Sequence, residues 1–156
     1  MARTAGYLKL IIGPMFSGKT SKLITIYQRN KIADISTCVV NYHEDTRYHP
    51  TLLSSHDRRM IPCMRVKRIH QVFERDPDIL KNTDAFVINE GQFFDDLYEA
   101  VWFLVMDHSK IVYVAGLDGD YRMRKFGQML DLVPLADEVE KLQAICMECK
   151  GVAAFT

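Results

Sequence analysis

Near the N-terminus, the octapeptide Gly13-Pro-Met-Phe-Ser-Gly-Lys-Thr20 satisfies every defined position of G-x-x-x-x-G-K-S/T. The residue types follow from the chemistry of gripping phosphates. Gly13 and Gly18 permit backbone angles and close approaches that a Cβ would block. Successive amides across Pro14, Met15, Phe16 and Ser17 can then point inward at phosphate oxygens, reinforced by the positive end of a following helix. Lys19 reaches the terminal phosphates of a nucleoside triphosphate, and Thr20 offers a hydroxyl to Mg2+. The competing reading is a glycine turn that binds nothing. The setting opposes it, because an apolar run precedes the octapeptide and a helix-forming run follows.

A second chemical group ends another apolar run, Ala85-Phe-Val-Ile-Asn-Glu-Gly-Gln92. Ligands of a parallel sheet sit at the carboxyl ends of its strands, so Asn89, Glu90 and Gln92 should face the phosphates from one strand over. Glu90 is the carboxylate at this strand end and could take the proton of an attacking hydroxyl. A solvated strand-end glutamate is the alternative. Asn89 stands where phosphate-loop enzymes commonly carry an Asp that helps hold Mg2+. It keeps the shape and lacks the charge, so Asn89→Asp is expected to tighten binding of Mg2+-ATP.

These groups need a scaffold. Short Val-, Ile- and Leu-rich runs at Leu8 to Ile12, Thr37 to Asn41, Ala85 to Ile88 and Ile111 to Ala115 lack alternation, as strands covered on both faces do. Ser21 to Asn30 can follow the first as a helix. Leu97, Ala100, Val101, Leu104 and Val105 recur at the spacing of one helix face. The pattern predicts an α/β domain with a parallel sheet. The polar stretch from Tyr42 to Pro62 has no firm period and reads as a working loop.

The 156 residues suit one domain, with 48% hydrophobic and 26% charged residues. Twenty basic and twenty acidic side chains cancel, which argues against a nucleic-acid partner. No apolar run is long enough to span a membrane. The cysteines at 38, 63, 146 and 149 are too sparse for a disulfide scaffold, which points to a reducing cytoplasm. Cys38 reads as a small buried hydrophobe. Cys146-Met-Glu-Cys149 has the spacing of half a zinc site, and a plain pair of thiols competes with that reading. His43, His49, His56, His70 and His108 show no metal-ligand spacing. Arg58, Arg59 and the run Arg65-Val-Lys-Arg68 read as a solvated face.

Taken together, Gly13 to Thr20, Asp45-Thr-Arg-Tyr48, His56-Asp-Arg58, Glu90-Gly-Gln-Phe-Phe94, Leu117-Asp-Gly119, Phe126-Gly127, Leu132-Val-Pro-Leu-Ala136 and Cys146-Met-Glu-Cys149 resemble the type II thymidine kinases, the cytosolic and poxviral kind, over nearly the whole chain. The resemblance implies a RecA-like phosphate-loop domain over residues 1–143 and the beginning of a small zinc-bearing domain over 144–156. It implies transfer of the γ-phosphate of ATP to the 5′-hydroxyl of thymidine or deoxyuridine, with Glu90 as catalytic base. The phosphate loop, Asp45, Thr46, Arg47, Asn89, Gly91 and Gln92 match regions assigned to the triphosphate and its Mg2+. Met15, Leu117 and Phe126 match apolar walls of the nucleoside pocket, and Tyr121 an aromatic against the base. For Tyr121 the residues alone leave a plain core tyrosine equally open. Structural Zn2+ at Cys146 and Cys149, a base-wrapping loop and second cysteine pair beyond Thr156, and assembly as a homotetramer are further implications. Two other readings remain: a nucleotide-binding homologue with little kinase activity, which Asn89 and the short C-terminus invite, and a motor or recombinase-like ATPase, which the neutral composition opposes.

Overall fold

The structure is a computed structural model and describes residues 5–44, 52–55 and 58–155. Its centre is a six-stranded sheet built from β1 (Tyr7–Ile12), β2 (Thr37–Tyr42), β5 (Met64–Val66), β6 (Ala85–Ile88), β7 (Ile111–Gly116) and β8 (Glu138–Lys141) in the order β5-β2-β6-β7-β1-β8. Every pairing in it is parallel. All strands therefore end at the same edge, and the loops leaving that edge converge. Two small antiparallel hairpins form sheets of their own: β3 (Leu52–Ser54) with β4 (Met60–Pro62), whose Leu53 and Ile61 pack into the core, and β9 (Ala144–Ile145) with β10 (Val152–Ala153).

The unbroken apolar runs are explained by cover on both faces. Leu8, Leu10 and Ile12 of β1, Phe86 and Ile88 of β6, and Val112 and Val114 of β7 point to one side. There they meet α4 (Leu97–Trp102), whose Leu97, Ala100 and Val101 are buried with Leu104 and Val105 of the π-helical turn Phe103–Asp107 that continues it. All five residues of the expected helix face are thus in the core. Ile11, Val39, Val87 and Ala115 point the other way, against Leu23 and Ile24 of α1 (Lys19–Ile32). Short helices α2 (His70–Arg75) and α3 (Ile79–Asn82) complete the first layer.

α1 begins at Gly18, which has φ 89°, and has no acidic residue in its first turn. It stops in a Schellman turn: Asp34 is left-handed at φ 55°, its N–H donates to Lys31 O, and Ile35 N–H donates to Asn30 O. The working-loop expectation is only partly met, because the β3–β4 hairpin occupies part of Tyr42 to Pro62. Asp45, Thr46, Arg47, His49 and His56 lie outside the described residues.

Strand β8, Glu-Val-Glu-Lys, carries no apolar signal and still pairs with β1 along its length. Lys9 reaches across to Glu138 at 2.8 Å and Glu140 at 3.0 Å, while Tyr7 Oη donates to Glu138. Burial, helped by Glu138, pushes the Tyr7 hydroxyl up to about 12. A charged edge of this kind also resists pairing with other chains.

Candidate active site

At the carboxyl edge, the β1–α1 connection forms the phosphate loop. Gly13 has φ 147°, and a Cβ there would press on the Leu142 carbonyl. Ser17 Oγ donates to Pro14 O at 2.8 Å, closing the loop internally. Lys19 Nζ turns back into it, donating to Pro14 O at 2.6 Å and lying 3.4 Å from Ser17 Oγ. The positive end of the α1 dipole and this ammonium give one wall of the site a positive field.

The opposite wall comes from β6. Glu90 is not one strand over from the loop, as its motif leads one to expect, because β7 lies between β6 and β1. Two strand spacings, roughly 10 Å, separate the strand that launches the loop from the strand that launches Glu90. That gap is a slot wide enough for a phosphate group. Asn89 nevertheless touches the loop side, its Oδ1 3.5 Å from Thr20 Oγ1. Glu90 itself is left-handed, φ 56° and ψ 43°, a conformation that costs a non-glycine residue about 1–2 kcal/mol. The turn that follows, Gly91–Phe93, brings Gln92 back beneath it. Gln92 is buried; its Nε2 donates to Glu90 Oε2 at 2.5 Å and its Oε1 accepts from Leu117 N at 3.0 Å. One amide thus ties the β6 carboxylate to the loop leaving β7.

Between these walls lies a cavity of about 460 Å3, within the range of small-molecule sites. It is lined by Met15 to Ser21 of the phosphate loop, by Glu90 and Gln92, and by Leu117. Tyr42, Glu44, Ser54 and Phe93, none of them singled out from sequence, line it too. Phe93 is legible in the segment Glu90 to Phe94, and Tyr42 as the residue that follows the apolar run Thr37 to Asn41. Phe93 lies tilted on Tyr42 with ring centroids 5.2 Å apart. Phe126 stands edge-on behind Phe93 at 5.6 Å, so it backs the cavity through another ring. Gly91 is buried against Met129 and Val114, behind the lining.

Tyr121 is not brought to this cavity, and it is not a core residue either. It is 75% exposed at the tip of a turn closed by Asp120, with the Arg122 guanidinium 5.1 Å from its ring centre. The backbone amides of Arg124 and Arg122 hold the Asp120 carboxyl below its ordinary range. Farther away, the β9–β10 hairpin presents Cys146 and Cys149. Hydrogen bonds from the Cys149 and Glu148 amides lower the Cys146 thiol, and Gly151 N lies 3.4 Å from Cys149 Sγ. No cluster of three or more His, Cys, Asp or Glu side chains suited to a metal occurs among the described residues. Arg65 is half-buried in β5, its Nη2 donating to Leu52 O, whereas Arg58, Arg59, Lys67 and Arg68 are exposed as expected of a solvated face.

A parallel α/β sheet with a phosphate loop after one strand and a carboxylate after another defines the class: a phosphate-loop nucleotide-binding domain. Comparison with known proteins narrows it. The thymidine kinase family profile matches residues 6–156. The thymidine kinase of Yaba monkey tumor virus is 38% identical over 156 residues, covering 100% of this chain and 83% of the relative. The cytosolic thymidine kinase of Bos taurus is 38% identical over 155 residues, 99% of this chain and 63% of the relative. Thymidine kinase a of Arabidopsis thaliana is 39% identical over 155 residues, 99% of this chain and 65% of the relative. The chain belongs to the thymidine kinase family.

Proposed function

We infer that this chain transfers the γ-phosphate of ATP to the 5′-hydroxyl of thymidine, giving dTMP and ADP. The observation that carries the reading is a cavity lined at once by residues 15–21 of the phosphate loop, by Glu90 and by Leu117. Relatives from viruses, vertebrates and a plant bear the name thymidine kinase, so a binding homologue without activity is not favoured.

In this reading the triphosphate lies along Gly13 to Thr20, with its terminal phosphate at Lys19. The nucleoside occupies the apolar half, between Met15, Leu117 and Phe93, with Phe126 behind. Glu90 accepts the 5′-hydroxyl proton as the oxygen forms its bond to the γ-phosphorus, and the bond from that phosphorus to the bridging oxygen breaks to release ADP. Gln92 holds the Glu90 carboxylate in one orientation, which lowers the cost of reaching the reactive geometry. Thr20 and Asn89 offer neutral oxygen donors, a set that suits Mg2+ bound chiefly through phosphates and water. Mg2+ bound there would neutralise phosphate charge. Asp45, Thr46 and Arg47 are assigned to the same triphosphate on the resemblance alone.

The two amide-supported thiols of Cys146 and Cys149 fit half of a tetrahedral zinc set, with residues 144–156 as the beginning of that small domain. Homotetrameric assembly and a cytoplasmic setting accompany this reading. No helix among the described residues is long and apolar enough to cross a membrane. The test is chromatographic: the full-length gene product, given ATP, Mg2+ and thymidine, should form dTMP and ADP in equal amounts. ADP formation indifferent to thymidine would reject it.

A further inference from the structure

Asn89 is 2% exposed and sits against a second buried amide, Asn41, which is 1% exposed. The two lie one residue beyond the Val40–Ile88 pair, where β2 and β6 approach the site edge. Asn89 N–H donates to Val40 O at 2.9 Å, which fixes its backbone. Side-chain polarity is fixed by a chain of donors and acceptors. Tyr42 N–H donates to Asn41 Oδ1 at 3.0 Å, and Asn89 Nδ2 donates to the same oxygen at 3.1 Å. Reversing the Asn41 amide would set its NH2 against the Tyr42 N–H, two donors face to face. Asn41 therefore presents oxygen, Asn89 must answer with nitrogen, and the Asn89 oxygen is left facing Thr20 Oγ1.

We propose that Asn41 is a positioning residue: it orients the Asn89 amide so that oxygen, not nitrogen, meets the Thr20 side of the phosphate site, and the two asparagines work as one neutral unit. The proposal rests on reading that site as the seat of Mg2+-nucleotide. It also revises the expectation for Asn89→Asp. A carboxylate at position 89 would set an acceptor against the Asn41 acceptor at about the present separation, in a buried place where unmatched polar groups are costly. The added charge therefore gains little while Asn41 remains, and its benefit appears once the opposing oxygen is removed.

The experiment titrates a fluorescent methylanthraniloyl-ADP into the full-length protein with Mg2+ and with EDTA, alongside urea unfolding without nucleotide. The variants are Asn41→Ala, Asn41→Asp, Asn89→Asp and the double substitution Asn41→Ala with Asn89→Asp. Asn41→Ala should weaken the Mg2+-dependent part of ADP binding about 10-fold, the scale of losing an outer-shell partner. It should leave binding in EDTA unchanged. Asn41→Asp keeps both acceptor bonds, so binding of the Mg2+ form should return to within about 3-fold of wild type. It also covers the case in which the alanine variant folds poorly. Asn89→Asp should lower the urea midpoint less when added to Asn41→Ala than when introduced alone. Equal Mg2+ dependence in wild type and Asn41→Ala, or additive effects in the unfolding cycle, would overturn the inference while leaving the nucleotide site standing. Failure of wild type to bind the ADP analogue at all would overturn the nucleotide-site reading and this inference with it.

Discussion

Replacing Gln92 with Glu changes one atom type at the join between Glu90 and Leu117, and its effect can be worked out. The Gln92 Nε2 donor now 2.5 Å from Glu90 Oε2 becomes a carboxylate oxygen, while the acceptor for Leu117 N is kept. Two carboxylates at about 3 Å repel by about 5 kcal/mol at an effective dielectric of about 20. At about 1.4 kcal/mol per pH unit this is near 4 units, and water in the cavity should reduce it to about 2. The pair escapes by sharing one proton, so one of the two titrations rises. Phosphate transfer that needs an ionised Glu90 should then lose rate in the weakly acidic range and regain it as pH rises. The acid limb of the kcat profile should move up by about 2 units, with a small change in thymidine KM. Stability carries the opposite sign. A carboxyl whose folded pKa is raised leaves the variant near wild-type stability below about pH 4, and stability is lost as pH rises through the raised value. The assays are kcat against pH from 5 to 10 and urea unfolding at each pH. An acid limb in Gln92→Glu at the wild-type position would show that the Gln92 amide does not govern Glu90.

Other expectations are simpler. Lys19→Ala should abolish measurable triphosphate binding in calorimetry, since the ammonium is the loop's charged donor; unchanged ATP affinity would contradict this. Asp96 is buried, which raises its carboxyl, but hydrogen bonds from the His70 and Ile69 amides and the His70 ring bring it below the ordinary range. Its contribution is present above the unfolded pKa and lost as pH falls through the folded one. Asp96→Ala should cost about 2 kcal/mol at pH 7, and the deficit should shrink toward pH 3. A deficit independent of pH would refute it. Burial, with Asp76 and Cys63 adding, pushes the Cys38 thiol up to about 12, so iodoacetamide at pH 8 should label exposed Cys149 and spare Cys38 in the folded protein. Equal labelling would reject the packing described for β2.

The parts of the fold that are legible in sequence are those whose chemistry is local. The phosphate loop has a backbone geometry only certain residues can adopt, and β1, β2, β6 and β7 are apolar because helices cover both sides. β8 is not legible because its stability is borrowed: Glu138 and Glu140 hold Lys9, which lies far away in sequence. β5 is three residues long and carries Arg65, so it has neither length nor apolarity to betray it. Strand order is equally hidden. Nothing in Ala85 to Gln92 says that β7 comes between it and β1, and that insertion sets the spacing of the site. Glu90 and Lys19 can be named from their motifs. The Gln92 clamp and the Asn41–Asn89 pair cannot, because each depends on register between strands separated by tens of residues. Tyr121 is not the core tyrosine that the residues alone left open, since the Asp120 turn lifts the ring outward.

Among all these tests, Glu90→Gln addresses the chemistry most directly, because it keeps the shape and the partner Gln92 and removes only the ability to take a proton. Thymidine and ATP binding should stay within about 3-fold of wild type while kcat for dTMP formation falls about 100- to 10,000-fold, the range of a lost general base. A glutamine variant that makes dTMP at the wild-type rate would mean that the carboxylate across the slot from the phosphate loop is not the group that activates the nucleoside.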